Sequence, residues 1–153
     1  MQHGPTLVGD IMRTRLITVT PDVDLGEALA AMADHGVRRL PVVKTVAGDS
    51  VLQGIVTDRD LRLAVGSPYA HADVGDVVED LRRLTVAHVM TRDVITVFPS
   101  ATVAQAARLM LAHRIGGLPV IEQEEGRPFL VGIVTRSDLL QVLVDVETRL
   151  FPV

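Results

Sequence analysis

The sequence predicts an α/β (α+β) fold made of two copies of one β-α-β-β-α unit, and three observations carry that prediction. The stretch Val8 to Val65 reappears as Val86 to Leu143 at a constant offset of 78 residues and without a gap. Ile17-Thr18-Val19, Leu40-Pro41-Val42 and Gly54-Ile55-Val56-Thr57 return as Ile95-Thr96-Val97, Leu118-Pro119-Val120 and Gly132-Ile133-Val134-Thr135. Short β-type runs bounded by proline or glycine alternate with segments whose apolar residues recur at helical spacing. Two copies of one unit in a small protein are expected to bury the same apolar face against each other, so function is sought in a pseudo-twofold cleft with two related sites.

Each copy opens on a short lead-in helix, near Val8 to Met12 and Val86 to Met90. The β-type runs Leu16 to Val19 and Val94 to Val97 follow, each ending two residues before a proline, Pro21 or Pro99, that stops the strand and leads into a helix. Leu25, Ala28, Leu29 and Met32 mark the first amphipathic helix; Val103, Ala106, Ala107 and Met110 mark its counterpart. Leu40 to Val43 and Val51 to Val56 are separated by Ala47-Gly48-Asp49-Ser50, which predicts a hairpin. In the second copy the separator is Glu124-Glu125-Gly126-Arg127-Pro128. A closing helix is expected over Asp58 to Val65 and from Arg136 to about Glu147. The domain plan is therefore 8–65, a connector 66–85, and 86–147. The connector starts with the turn residues Gly66, Ser67 and Pro68, then carries Val74, Val77, Val78, Leu81 and Leu84 at helical spacing, as a packed segment would.

Composition narrows the function classes. At 153 residues the chain can bury about 70% of its unfolded surface as one compact body. It has no cysteine, which excludes disulfides, thiolate metal sites and thiol nucleophiles. Only 3% of residues are aromatic against 48% apolar, so a stacking surface for single-stranded nucleic acid is not expected, and the formal charge of −4 disfavours a general binder of phosphate backbones. No apolar run approaches the roughly 20 residues of a membrane helix, and the start lacks the basic and apolar regions of a signal peptide. The expected setting is the cytoplasm.

Three spaced signatures recur in order in each copy: the strand-and-proline motif ending at Pro21 and Pro99, the Leu-Pro-Val strand, and Gly-hydrophobic-hydrophobic-Thr-x-x-Asp at Gly54 to Asp60 and Gly132 to Asp138. With these the chain resembles a stand-alone tandem pair of cystathionine-β-synthase (CBS) domains, a Bateman module, similar in arrangement to small two-domain proteins of the acetoin-utilization type. The resemblance covers about Val8 to Leu143. It implies two repeats about a pseudo-twofold axis, with sheets face to face and helices outside. It also implies regulatory binding of adenosine-containing ligands such as AMP, ADP, ATP or S-adenosylmethionine, with no cofactor required and no chemistry performed.

The residues themselves suit such a ligand. Gly54 and Gly132 offer side-chain-free backbone where a base or sugar could approach. Thr57 and Thr135 stand at strand-to-helix junctions, where a hydroxyl and unpaired amides of a first helical turn form an anion site. Asp60 and Asp138 bring two acceptor oxygens each, the chemistry that holds the hydroxyls of a ribose. The same Thr-x-x-Asp pattern is a capping box, and the two roles are compatible. The copies diverge at Arg38-Arg39, which become Gly116-Gly117. The geometry implied by the resemblance takes each site from both repeats. A favoured, phosphate-selecting site would join Ile133, Thr135 and Asp138 to Ile17, Val37, Arg38 and Arg39, with Arg59 as a further candidate; a second would join Ile55, Thr57 and Asp60 to Ile95, Ile115, Gly116 and Gly117. Arg38 and Arg39 are alternatively a solvated surface pair.

No metal ligands are assigned: His35 and His113 are best explained by the favourable placement of imidazole at a helix C-terminus. Met32 and Met110 read as core filler, and Glu122, Glu124 and Glu125 as a solvated loop. No nucleophile with an adjacent base is found, so an enzyme is not expected. A structural dimerisation module with vestigial pockets is the competing reading. The connector and the tail Leu150 to Val153 are too short for an effector domain, so output is expected through a homodimer or an unidentified effector protein.

Overall fold

The structure is a computed structural model and describes residues 4–65 and 74–152. In chain order its elements are α1 (Val8–Ile11), α2 (Leu25–His35), β1 (Arg39–Val46), β2 (Asp49–Thr57), α3 (Asp58–Ala64), α4 (Val74–Arg83), α5 (Val86–Val89), α6 (Val103–His113), β3 (Gly117–Glu124), β4 (Arg127–Thr135) and α7 (Arg136–Leu150). The fold is mixed α/β, as the sequence predicts. The first residue of every element in copy two lies 78 positions after its counterpart in copy one, α4 having none. The turn expected at Gly66, Ser67 and Pro68 lies outside the described residues.

The two hairpins follow from local chemistry. β1 pairs antiparallel with β2 from Arg39↔Thr57 to Val46↔Asp49, and β3 with β4 from Gly117↔Thr135 to Glu124↔Arg127. Each is closed by two residues with positive φ, Ala47-Gly48 and Glu125-Gly126, the geometry whose twist matches that of the flanking strands. Asp49-Ser50 and Arg127-Pro128, read from sequence as loop, are already paired. Each hairpin carries a bulge, since Val42 faces Gly54 but Val43 faces Leu52, and Val120 faces Gly132 but Ile121 faces Leu130. At the bulge the β-type runs Leu16 to Val19 and Val94 to Val97 touch the hairpins in one parallel bridge each, Val19↔Val42 and Val97↔Val120. They form no longer strand. Pro21 and Pro99 follow too closely, and only Val19 and Val97 exchange backbone bonds there (Val19 N–H to Pro41 O, 3.1 Å; Val97 N–H to Pro119 O, 3.1 Å).

The chain divides into two compact units that differ from the sequence repeats: one is Met1–Leu16 with Ile95–Val153, the other Ile17–Val94. Each unit holds the body of one copy and the lead-in helix of the other. In the first, Val8 N–H bonds Ala101 O (2.8 Å), Gly9 N–H bonds Pro99 O (2.9 Å), and Arg13 exchanges two backbone bonds with Ile133. In the second, Val86 N–H bonds Val23 O (2.8 Å), Ala87 N–H bonds Pro21 O (2.9 Å), and Thr91 exchanges two with Ile55. Val8 thereby joins the core of Val97, Ala106, Met110, Leu118, Val120 and Val134, and Val86 and Met90 join that of Leu25, Ala28, Met32, Leu40, Val56 and Leu61. Both lead-in valines are fully buried, worth roughly 1.5–3 kcal/mol each on transfer. Met32 and Met110 are core residues in their units, as read from sequence. Leu81 and Leu84 pack partly buried on the second unit's core, so the connector helix α4 is tied to its own unit.

Gly54 and Gly132 owe their identity to these docked segments. A Cβ at Gly54 would lie 2.7 Å from the Thr91 carbonyl oxygen and 3.0 Å from Met90 Sδ; at Gly132 it would meet Met12 Sδ at 2.6 Å and Arg13 O at 3.1 Å. The space expected for a base or sugar is filled by protein. Gly54→Ala is expected to cost about 1–3 kcal/mol in urea denaturation, because the obstacle is backbone, and Gly132→Ala less, because the Met12 thioether can rotate away. Equal, negligible losses would show that the segments do not dock as described.

Candidate functional site

In the unit Ile17–Val94, Thr57 ends β2 and caps α3. Its backbone N–H donates to Asp60 Oδ2 (2.9 Å), and its Oγ1 accepts from the Asp60 N–H (3.2 Å). The capping box read in the sequence is therefore present. Asp58 and Arg62 form an ion pair one turn apart on the helix (3.3 Å).

The hairpin decides what stands beside this motif. Arg39 is the residue opposite Thr57, and the Asp58 N–H donates to the Arg38 carbonyl at 2.9 Å. Val37, Arg38 and Arg39 thus run along the start of α3. Arg38 is exposed and Arg39 half-buried. Ile17 and Val37 pack partly buried on the core of the same unit, while Ile55 is clamped to Thr91.

The other unit repeats the arrangement with different chemistry. Gly117 faces Thr135, and the Arg136 N–H donates to Gly116 O at 2.9 Å. Ile95 and Ile115 pack partly buried on that unit's core, and Ile133 is clamped to Arg13. Asp138 Oδ2 accepts from both the Thr135 N–H (2.7 Å) and the Thr135 hydroxyl (2.9 Å), and Oδ1 accepts from Arg13 Nε (3.1 Å).

The residues before Leu-Pro lie beside the Thr-x-x-Asp motif of their own copy, because antiparallel pairing puts the start of β1 opposite the end of β2 and the start of β3 opposite the end of β4. Within the unit Ile17–Val94, Arg38 and Arg39 therefore flank Thr57; within the other, Gly116 and Gly117 flank Thr135. Arg59 is exposed on α3. His35 and His113 close α2 and α6, at the helix ends where an imidazolium is favoured.

Sequence reasoning missed Arg13. The offset carried a signal, for position 13 matches Thr91, so the copies differ there in charge as they do at Arg38-Arg39.

The paired Thr-x-x-Asp corners on repeated α-β-β-α bodies define a class. The chain belongs to the CBS-domain family, whose domain description matches residues 8–67 and 86–145. Among curated proteins it is 41% identical over 140 residues to a CBS domain-containing protein of Dictyostelium discoideum, covering 92% of each chain. Among solved structures it is similar to the CBS domain pair of protein MJ0100 in complex with 5′-methylthioadenosine and S-adenosyl-L-methionine (28% identity, 94% of this chain and 99% of that one, TM-score 0.72). It is likewise similar to CBSX2 of Arabidopsis thaliana in complex with AMP (28% identity, 93% and 98% of the chains, TM-score 0.71). No helix among the described residues is long and apolar enough to cross a membrane.

The cap at Thr57 has a measurable share in stability. Thr57→Val keeps the branched shape and removes the oxygen that accepts the Asp60 amide, so urea denaturation should show a loss of about 0.5–2 kcal/mol. An unchanged midpoint would mean that the hydroxyl does not cap α3.

Proposed function

We propose that this chain is a regulatory module that binds an adenosine-containing ligand at the Thr-x-x-Asp corner of its repeats and passes occupancy on through self-association or an effector protein in the cytoplasm. The observation that carries this reading is the placement of Arg38 and Arg39 in the backbone beside Thr57, whose capping box holds Asp60, within one unit. Asp60 uses Oδ2 for the Thr57 amide, which leaves Oδ1 as an acceptor for ribose hydroxyls, and the exposed Arg38 offers a fork-shaped donor to a phosphate. The ligands bound by MJ0100 and CBSX2 are adenosine derivatives of this kind, which supports the assignment. The reading is of binding without chemistry, since Thr57 Oγ1 is engaged by a helix amide rather than by a base.

On this reading, Arg38→Gln weakens AMP about tenfold and leaves adenosine nearly unchanged, because a hydrogen bond between charged groups is worth about 1.5–3 kcal/mol and the nucleoside never uses the cation. Asp60→Ala weakens both. Calorimetry with AMP and adenosine checks this, and a double-mutant cycle should couple Arg38 to Asp60 rather than to Asp138. No binding of either ligand to the folded chain would favour a purely structural dimerisation module.

Self-association is the proposed route of output, with a second copy as the partner. α7 has no buried residue and, with α6, borders a groove of about 790 Å³ lined by Leu111, Leu140, Leu143 and Val146, all exposed. A two-fold antiparallel pairing of α7 would bury this apolar stripe against its copy, residue for residue, as isologous contacts do. Light scattering at micromolar protein should give a dimer, and Leu143→Glu a monomer. A monomeric mass for the unaltered chain, with and without AMP, rejects this route.

A further inference from the structure

The carboxylate that stands ready for a ribose in one copy is occupied in the other. Thr135 takes up Asp138 Oδ2 twice, so Oδ1 is the oxygen left for a ligand, and Arg13 Nε sits on it at 3.1 Å. The Arg13 backbone is fixed beside β4 by its two bonds to Ile133, N–H to O at 2.9 Å and O from N–H at 3.0 Å, which holds the side chain within reach. Beyond that the guanidinium is loosely held: its side chain is 61% exposed, against 12% for Asp138. Thr91 occupies the matching position in the other unit, clamped to Ile55 in the same way, and its short neutral side chain brings no charge to Asp60.

We infer that Arg13 is a specificity-determining residue that competes with neutral ribosyl ligands for Asp138, so that the Asp60 corner fills first. This rests on the reading of the Thr-x-x-Asp corner as a ribose site. A ligand that grips the carboxylate with both ribose hydroxyls must displace the guanidinium or share Oδ1 with it. The arginine side of the pair is solvent-exposed, so its worth is small, corresponding to about a two- to fivefold handicap in affinity. Salt weakens the pair but not the ligand, which makes the binding of an uncharged nucleoside improve as ionic strength rises, the reverse of what a phosphate ligand shows.

The test is calorimetry with adenosine on the full chain in an Asp60→Asn background, which weakens the other corner while keeping its cap. Arg13→Gln should tighten adenosine two- to fivefold and remove the improvement with salt. In the converse experiment, Thr91→Arg in an Asp138→Asn background should weaken adenosine at the Asp60 corner by a similar factor. Unchanged adenosine affinity in both arms, with binding intact, overturns the competition and leaves the ribose reading standing. Weaker AMP binding on Arg13→Gln overturns it differently, by making Arg13 a phosphate ligand. If neither the unaltered chain nor any variant binds adenosine or AMP while all remain folded, the ribose reading falls and this inference with it.

Discussion

The backbone clamp between a lead-in segment and the last strand of the other copy is the constraint on which each unit depends. Arg13 and Ile133 exchange two bonds, as do Thr91 and Ile55, and the turn of helix before each clamp drives a valine to zero exposure in a core otherwise built by the other copy. Without the clamp, Ile55 and Ile133 would each present an unpaired backbone N–H and carbonyl on a strand flank, and the cores would lose Val86 and Val8. Partly buried backbone groups left unpaired and apolar side chains left in water are both costly, so the exchange is energetically coupled to the hairpins. Glycine at 54 and 132 is the sequence's concession to it.

That arrangement also sets the site. Because the lead-in segment lies along the strand that ends in Thr-x-x-Asp, whatever residue follows its methionine is carried toward the aspartate. In one unit this residue is Arg13, and in the other Thr91. The hairpin adds the second contribution, arginines in one copy and glycines in the other. Asp60 bonds Thr57 through Oδ2 alone, whereas Asp138 is hydrogen-bonded through both oxygens, one of them to a cation. Near-identical backbones therefore carry different side-chain chemistry, and the difference lies in a few residues at the ends of strands.

The exposed face of α6 and α7 stands apart from both corners in its chemistry. Its apolar residues fall on helices whose other sides are already packed or capped, and α7 runs on to Leu150 while its counterpart α3 stops at Ala64. The longer helix gives the second copy the larger apolar surface, an asymmetry in the elements that the residue-for-residue repeat over Val8 to Val65 does not contain.

Much of the fold was legible in the sequence because it depends on near neighbours. The 78-residue offset, the helical spacing of Leu25 to Met32 and Val103 to Met110, the glycines after Ala47 and Glu125, and the capping pattern at Thr57 and Thr135 are all decided within a few residues by torsional preference, turn chemistry and amphipathicity. The exchange of lead-in helices was not legible, since identical motifs in both copies make pairing within a copy and pairing between copies indistinguishable by pattern. Only the chain's path in three dimensions distinguishes them. The same path decided that Gly54 and Gly132 leave room for the docked lead-in segments, that Arg38 and Arg39 stand beside Thr57, and that Arg13 reaches Asp138 across 125 residues of sequence. The sequence by itself determined the two capping motifs and the side chains set around them. Tertiary structure decided which of them meet, because hydrogen-bonded register and the space left by a missing Cβ are properties of segments far apart in the chain.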